Sequence, residues 1–174
     1  MQQRLSLKGR ALQLLAQRDQ SRVELRAKLL RHAAAEARAQ AHGEAVPDRG
    51  GSDGDREGEG EGEGEGRQAE VEALLDWLEA NRFLSAERFV ESRVHAREAR
   101  FGNRRIRAEL AQHGMAVSPE MALALAESEL QRAAAVRERR FAGPPGSAAE
   151  RAAQTRFLAG RGFSPEVIQR LMRR

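Results

Sequence analysis

Seven arginines between positions 88 and 107 are the residues of this chain best suited to chemistry, and that chemistry is the binding of anions. Arg88, Arg93, Arg97, Arg100, Arg104, Arg105 and Arg107 are interleaved with Phe89, Val90, Val94, Ile106 and Leu110. The apolar set recurs at helical spacing, which gives each helix one face for a core and one face of guanidinium groups. A guanidinium presents a planar fork of donors that matches a carboxylate or a phosphate two bonds at a time. Arg93 and Arg97 stand one helical turn apart, and like charges at that spacing repel by a few tenths of a kcal/mol. The run repeats this arrangement without nearby acids to relieve it, which points to an anionic partner.

Catalytic constellations are missing. His32, His42, His95 and His113 show no metal-ligand spacing, and with no cysteine a zinc site would need carboxylates. No G-x-x-x-x-G-K-[ST] motif is present, and the glycine-rich run that does occur is acidic and would repel phosphate. No Ser-His-acid set stands out, and acids such as Asp19 and Asp76 belong to no recognisable motif. The expectation is therefore a binding module rather than an enzyme, with no cofactor and no metal.

The elements that must position the arginines are helices. Of the 174 residues 40% are apolar but only 4% aromatic, and 32% are charged. Large core side chains are scarce, so thin cores shared by small groups of helices fit better than one thick core. Gly43 to Gly66 holds nine acids against two arginines, a net of −7 within a chain of +4, so the remainder carries +11. That surface favours polyanions. No apolar run approaches the roughly 20 residues that cross a bilayer, and the N-terminus lacks the apolar core of a signal peptide. A monomeric cytoplasmic protein is the expectation.

Start and stop signals divide the chain. Leu7, Ala11, Leu14 and Leu15 repeat at helical spacing and fade at Arg18 to Gln20; Ser21-Arg22-Val23-Glu24 is a capping box that opens a second helix through Leu25, Leu29 and Leu30, running to about His42. The alternating Glu-Gly stretch has almost no apolar residues to offset chain ordering and is expected to be disordered over 43–68. Val71, Leu74, Leu75 and Leu78 restart a helix that Asn81 ends, with Trp77 on its flank as a core residue. Ser85 precedes the helix of Phe89, Val90 and Val94; Phe101-Gly102-Asn103 breaks it; and the helix of Ile106 and Leu110 stops at His113-Gly114. Ser118-Pro119-Glu120 starts a helix through Met121, Leu123 and Leu125, followed after a break near Glu127 to Glu129 by one through Leu130, Ala134 and Phe141. Ser147 to Glu150 and Ser164-Pro165-Glu166 open the last two.

The chain repeats itself. SRVELRAKL (21–29) aligns with GNRRIRAEL (102–110), and LAQHGMAVSPE (110–120) with LAGRGFSPE (158–166). Repetition of this kind predicts an all-α, solenoid-like row of three tandem three-helix repeats, at 1–84 (with the 43–68 insertion inside it), 85–126 and 127–174.

ALQLLAQRDQSRVELRAKL (11–29), RFLSAERFVESRV (82–94), FGNRRIRAEL (101–110) and FLAGRGFSPEVIQRLM (157–172), in this order and at these spacings, resemble the RecX family of bacterial regulators. The resemblance covers nearly the whole chain outside the insertion. It implies a curved, elongated body of three three-helix repeats that lies along RecA–DNA filaments, touching RecA and the DNA phosphate backbone. It also implies restraint of RecA's strand-exchange, ATPase and co-protease activities in recombination, DNA repair and the SOS response. Two features depart from the pattern: the Glu/Gly insertion stands where a short turn is usual, and tyrosine is absent, Phe83 occupying a position where Tyr is frequent. The alternative class is a DNA-binding protein acting without RecA, with the helix after Phe101-Gly102-Asn103 as a helix-turn-helix reader. Against it, that helix carries few Asn, Gln or Ser to contact base edges. The seven arginines are the expected partner-binding residues under either reading.

Overall fold

The computed structural model describes residues 5–43 and 59–173, and among these every regular element is an α-helix. The chain divides into two compact units, Met1–Ala86 and Glu87–Arg174.

The N-terminal unit is built from α1 (Leu7–Gln17), α2 (Arg22–Gly43) and α3 (Glu59–Ala80). Ser6 accepts the Gly9 N–H and Ser21 accepts the Glu24 N–H, so each of the first two helices begins on a serine that satisfies one of its orphan donors. Ala11, Leu25, Leu29, Val71, Leu75, Leu78 and Leu84 form the core. Outside it, Arg22 reaches Glu72, Asp76 and Glu79 at 2.7–2.8 Å, and Arg26 also pairs with Glu72. Hydrogen bonds from Arg26 and Arg22 hold the Glu72 carboxyl below its ordinary pKa. Trp77 is half-buried against the core, stacked on Phe83 and with Lys8 Nζ 3.6 Å from its ring centroid. Helix α3 ends at Ala80, just before Asn81, and the turn that follows has Arg82 as its left-handed residue (φ 61°).

Of the insertion expected over 43–68, residues 44–58 lie outside the described residues, and 59–68 form the first turns of α3. The insertion is therefore shorter on its C-terminal side than the Glu-Gly composition implied. A helix anchored by Val71, Leu75 and Leu78 propagates backward at one hydrogen bond per residue, because the costly nucleus already exists.

The C-terminal unit holds α4 (Ala86–Glu98), α5 (Asn103–Ala111), α6 (Pro119–Glu138), α7 (Ala148–Gly160) and α8 (Pro165–Met172). Phe89, Val90, Val94, Ile106, Leu110 and Leu125 form one core; Ala133, Val136, Leu158, Phe163, Ile168, Leu171 and Met172 form another. Helix α6 serves both, with Leu125 in the first core and Ala133 and Val136 in the second. It runs without the break expected near Glu127 to Glu129, and the expected boundary at 126/127 falls inside it. Ser128 points its hydroxyl back to the Ala124 carbonyl at 2.9 Å instead of opening a turn, and Glu129 is a buried member of the helix. At the helix starts, Ser118 accepts from the Met121 N–H and Ser147 from the Glu150 N–H. Gly114 and Gly162, at φ 70° and 80°, supply the left-handed residues after α5 and α7.

Candidate partner-binding surface

Helix α4 ends at Glu98 with carbonyls that no further turn can satisfy. Arginines from later in the chain take them up. Arg132 donates to the Glu98 and Phe101 carbonyls at 3.1 and 2.8 Å, and Arg139 donates to that of Ala99 at 3.2 Å. Arg132 also bonds Leu125 O and the Asn103 side chain. Burial pulls its pKa below the ordinary arginine value, and Glu129 and Glu98 pull back. Cations at the negative end of a helix dipole are favoured, so the end of α4 gathers positive charge by the ordinary rules of helix termination.

The turn that follows meets a second turn backbone to backbone. Gly102 N–H donates to Arg161 O at 3.0 Å, and Arg104 N–H donates to Gly162 O at 3.0 Å. A Cβ at residue 102 would lie 2.2 Å from Phe163 N, and one at residue 162 would lie 2.5 Å from Arg105 Cβ. Only two glycines allow this approach. Its result is that Arg161, from the end of α7, stands beside Arg105 of α5.

Phe101 lies at the centre of the resulting group. Its half-buried ring is approached by Arg105 at 4.4 Å, Arg161 at 5.6 Å, Arg100 at 5.9 Å and Arg97 at 6.0 Å, measured to the ring centroid. Contacts in this range are favourable, about 0.5–1 kcal/mol each when exposed. They hold guanidinium groups beside an apolar surface without neutralising them. Arg161 also lies 5.0 Å from the Phe157 ring. Arg100 and Arg105 are exposed, and neither forms an ion pair among the described residues.

The structure divides the seven arginines predicted as site residues. Arg97, Arg100 and Arg105 join the group on Phe101. Arg104 and Arg107 are exposed on α5 and form no ion pair among the described residues; Arg88 is exposed on α4. For Arg93 and Arg97 the premise of unrelieved repulsion requires a correction. Glu109 of α5 lies 3.3 Å from Arg93 and 3.0 Å from Arg97, bonding the latter through both carboxylate oxygens. The repulsion along α4 is therefore relieved from the neighbouring helix. Spacing within one helix does not register such an acid, because α5 brings it alongside only after packing. Arg132, Arg139 and Arg161 were missed for the same reason. The one sequence signal for Arg161 was the pair of glycines around it, which reads as a helix end and not as a docking turn.

Charge follows the division into units. Residues 87–174 contain seventeen arginines, no lysine and ten glutamates, a net of +7, whereas residues 1–86 carry −3. Among the described residues no cluster of His, Asp and Glu could hold a metal ion, and no helix is long and apolar enough to cross a membrane. Fold and surface together define a protein that is all-helical among the described residues and carries exposed arginines on a basic C-terminal unit.

Comparison with known proteins gives the family. Residues 127–172 match the family model of the third three-helix domain of RecX. Proteins named Regulatory protein RecX match over nearly the whole chain. That of Ralstonia nicotianae is 43% identical over 172 residues, covering 98% of this chain and 88% of the relative. That of Herbaspirillum seropedicae is 41% identical over 167 residues, covering 95% and 88%. That of Pseudomonas entomophila is 35% identical over 173 residues, covering 97% and 90%. The chain belongs to the RecX family, and these relatives are named regulatory proteins.

Proposed function

We propose that this protein binds RecA–DNA filaments in the cytoplasm and restrains RecA's activity in recombination, repair and the SOS response. The chain is read as three three-helix repeats, at 1–84, 85–126 and 127–174, acting as a monomer. The observation that carries the reading, beyond family membership, is the convergence of Arg97, Arg100, Arg105 and Arg161 on Phe101 within a unit of net charge +7. An all-arginine surface held on an aromatic ring suits the carboxylates of a protein filament and the phosphates within it. Arg104, Arg107 and Arg88 are further exposed arginines on α5 and α4 that we assign to partner binding.

The helix-turn-helix alternative is less well served. A recognition helix enters a groove by its N-terminal end. In α5 that end is occupied, with Asn103 buried and the Arg104 N–H bonded to the 161–163 turn.

The test is the DNA-dependent ATPase of RecA filaments with this protein added below stoichiometry. Wild type inhibits. Arg100→Ala with Arg105→Ala inhibits at least about tenfold more weakly, since removing desolvated charge contacts at an interface costs 1.4 kcal/mol or more. The circular dichroism stays that of the wild type. Inhibition undiminished in the double variant removes the site assignment.

A further inference from the structure

Glu129 is a carboxylate only 4% exposed, in the middle of α6. It forms no ion pair among the described residues; its partners are the starts of two other helices. Oε1 accepts the N–H of Asn103, the first residue of α5, at 2.9 Å, and the N–H of Ser164, the residue before α8, at 3.2 Å. Oε2 accepts the Ser164 hydroxyl at 3.0 Å.

Neither helix has a cap of its own. The N-cap of α5 is Gly102, which has no side chain, and the Ser164 hydroxyl makes no cap bond to α8 because it is turned to Glu129. One carboxylate thus does for both helices what Ser118 and Ser147 do locally for α6 and α7. Its negative charge faces two positive dipole ends and lies near the Arg132 guanidinium, which compensates its removal from water. The two helix starts joined in this way are those whose preceding turns interlock through Gly102 and Gly162 and carry Arg105 and Arg161 to one ring.

We infer that Glu129 is a positioning residue for the arginine surface: by capping α5 and α8 together it holds Arg105 and Arg161 in one anion-binding group. The inference rests on the arginine group being the binding surface, and it adds that the group is assembled by a buried carboxylate some distance from the ligand. Arg105 and Arg161 therefore act as one site while Glu129 is present and as two independent charges when it is absent.

The experiment is a double-mutant cycle in three backgrounds, read as the apparent Kd of the full-length protein for RecA filaments assembled on poly-dT. Arg105→Ala, Arg161→Ala and their combination are made in wild type, in Glu129→Gln and in Glu129→Ala. Glutamine keeps an acceptor oxygen for the two N–H groups and an amide for the serine hydroxyl, so it preserves the cap while losing the charge. The expected result is that wild type and Glu129→Gln show single variants that miss additivity by more than about threefold, and Glu129→Ala shows additivity within that margin. Should Glu129→Ala not fold, Ser164→Ala removes one of the three bonds and should give a reduced coupling. Backbone amide resonances of Asn103 and Ser164 report the clip without any ligand: both shift in Glu129→Gln, while those of Met121 and Glu150 do not. Coupling that is equal in the Glu129→Ala or Ser164→Ala background and in wild type overturns the inference, as do unshifted Asn103 and Ser164 resonances. If both arginine variants bind as wild type does, the surface reading fails and the positioning role falls with it, even where the amide shifts show the clip itself.

Discussion

Among the described glycines, Gly102 is the one where an added methyl group meets the closest backbone, so Gly102→Ala is a severe small change. At φ −80° and ψ 168° an alanine is conformationally at ease, so no backbone strain enters. The whole effect comes from a Cβ placed 2.2 Å from Phe163 N, 2.3 Å from Phe163 Cα and 2.4 Å from Gly162 C. These are backbone atoms of a second turn, and they cannot rotate aside. Restoring a contact of ordinary length requires the two turns to part by about 1 Å, which breaks or stretches the Gly102–Arg161 and Arg104–Gly162 hydrogen bonds. Two such bonds are worth about 1 kcal/mol each, and inserting a methyl group into packed structure costs about 1–3 kcal/mol more. The sum is roughly 3–5 kcal/mol, and for a unit of this size each kcal/mol lowers the melting temperature by about 4–8 °C. The thermal transition of the C-terminal unit, followed by circular dichroism, should therefore fall by at least about 12 °C. Filament inhibition should weaken as well, because Arg161 leaves Arg105. Gly160→Ala is the control: a Cβ there meets nothing within 4 Å, and the residue is helical. That change should be neutral or stabilise by up to about 1 kcal/mol. A Gly102→Ala protein that melts with the wild type would refute the claim that the two turns dock through this glycine.

Three further outcomes follow from the same geometry. Glu109→Gln removes the charge that Arg93 and Arg97 share; a urea titration should show a loss of about 1 kcal/mol, while affinity for an anionic filament is held or increased, and a fall in affinity would place Glu109 in the binding contact itself. In the N-terminal unit, Arg26 and Arg22 hold Glu72 below its ordinary pKa, so their contribution is complete above the unfolded carboxyl value of about 4.3 and is lost as pH falls through the lower folded value. The melting temperature of wild type should thus decline more steeply below about pH 4 than that of Arg22→Ala with Arg26→Ala, and parallel profiles would dismiss the coupling. Filament affinity should fall steeply with salt, the logarithmic slope diminishing in Arg100→Ala with Arg105→Ala; a slope unchanged by the double variant would locate the electrostatic contact elsewhere.

Helix existence and helix ends were legible from the chain because they depend on neighbours in sequence. Ser21, Ser118 and Ser147 cap helices through bonds three residues long, and Leu25, Leu29, Ile106 and Leu110 show their buried faces by spacing alone. The same local rules identified α4 and α5 as arginine-bearing, and the ordered set of motifs was enough to point to the family. They failed where the deciding partner is remote. The Glu-Gly run at 59–66 is helical because α3 is anchored further along, at Val71 to Leu78. The expected break at Glu127 to Glu129 is absent because a buried acid there serves two other helices. Which arginines are neutralised and which are gathered is likewise a tertiary matter. Glu109 claims Arg93 and Arg97 from twelve or more residues away, and Arg161 reaches Phe101 across sixty positions through two glycines whose close approach has no signature in one dimension. Sequence determined that this protein is helical and rich in guanidinium groups. Packing decided which of those groups stand together and which are paired with acids, because charge pairing depends on distance in space, and helices separated in sequence supply the two sides of each pair.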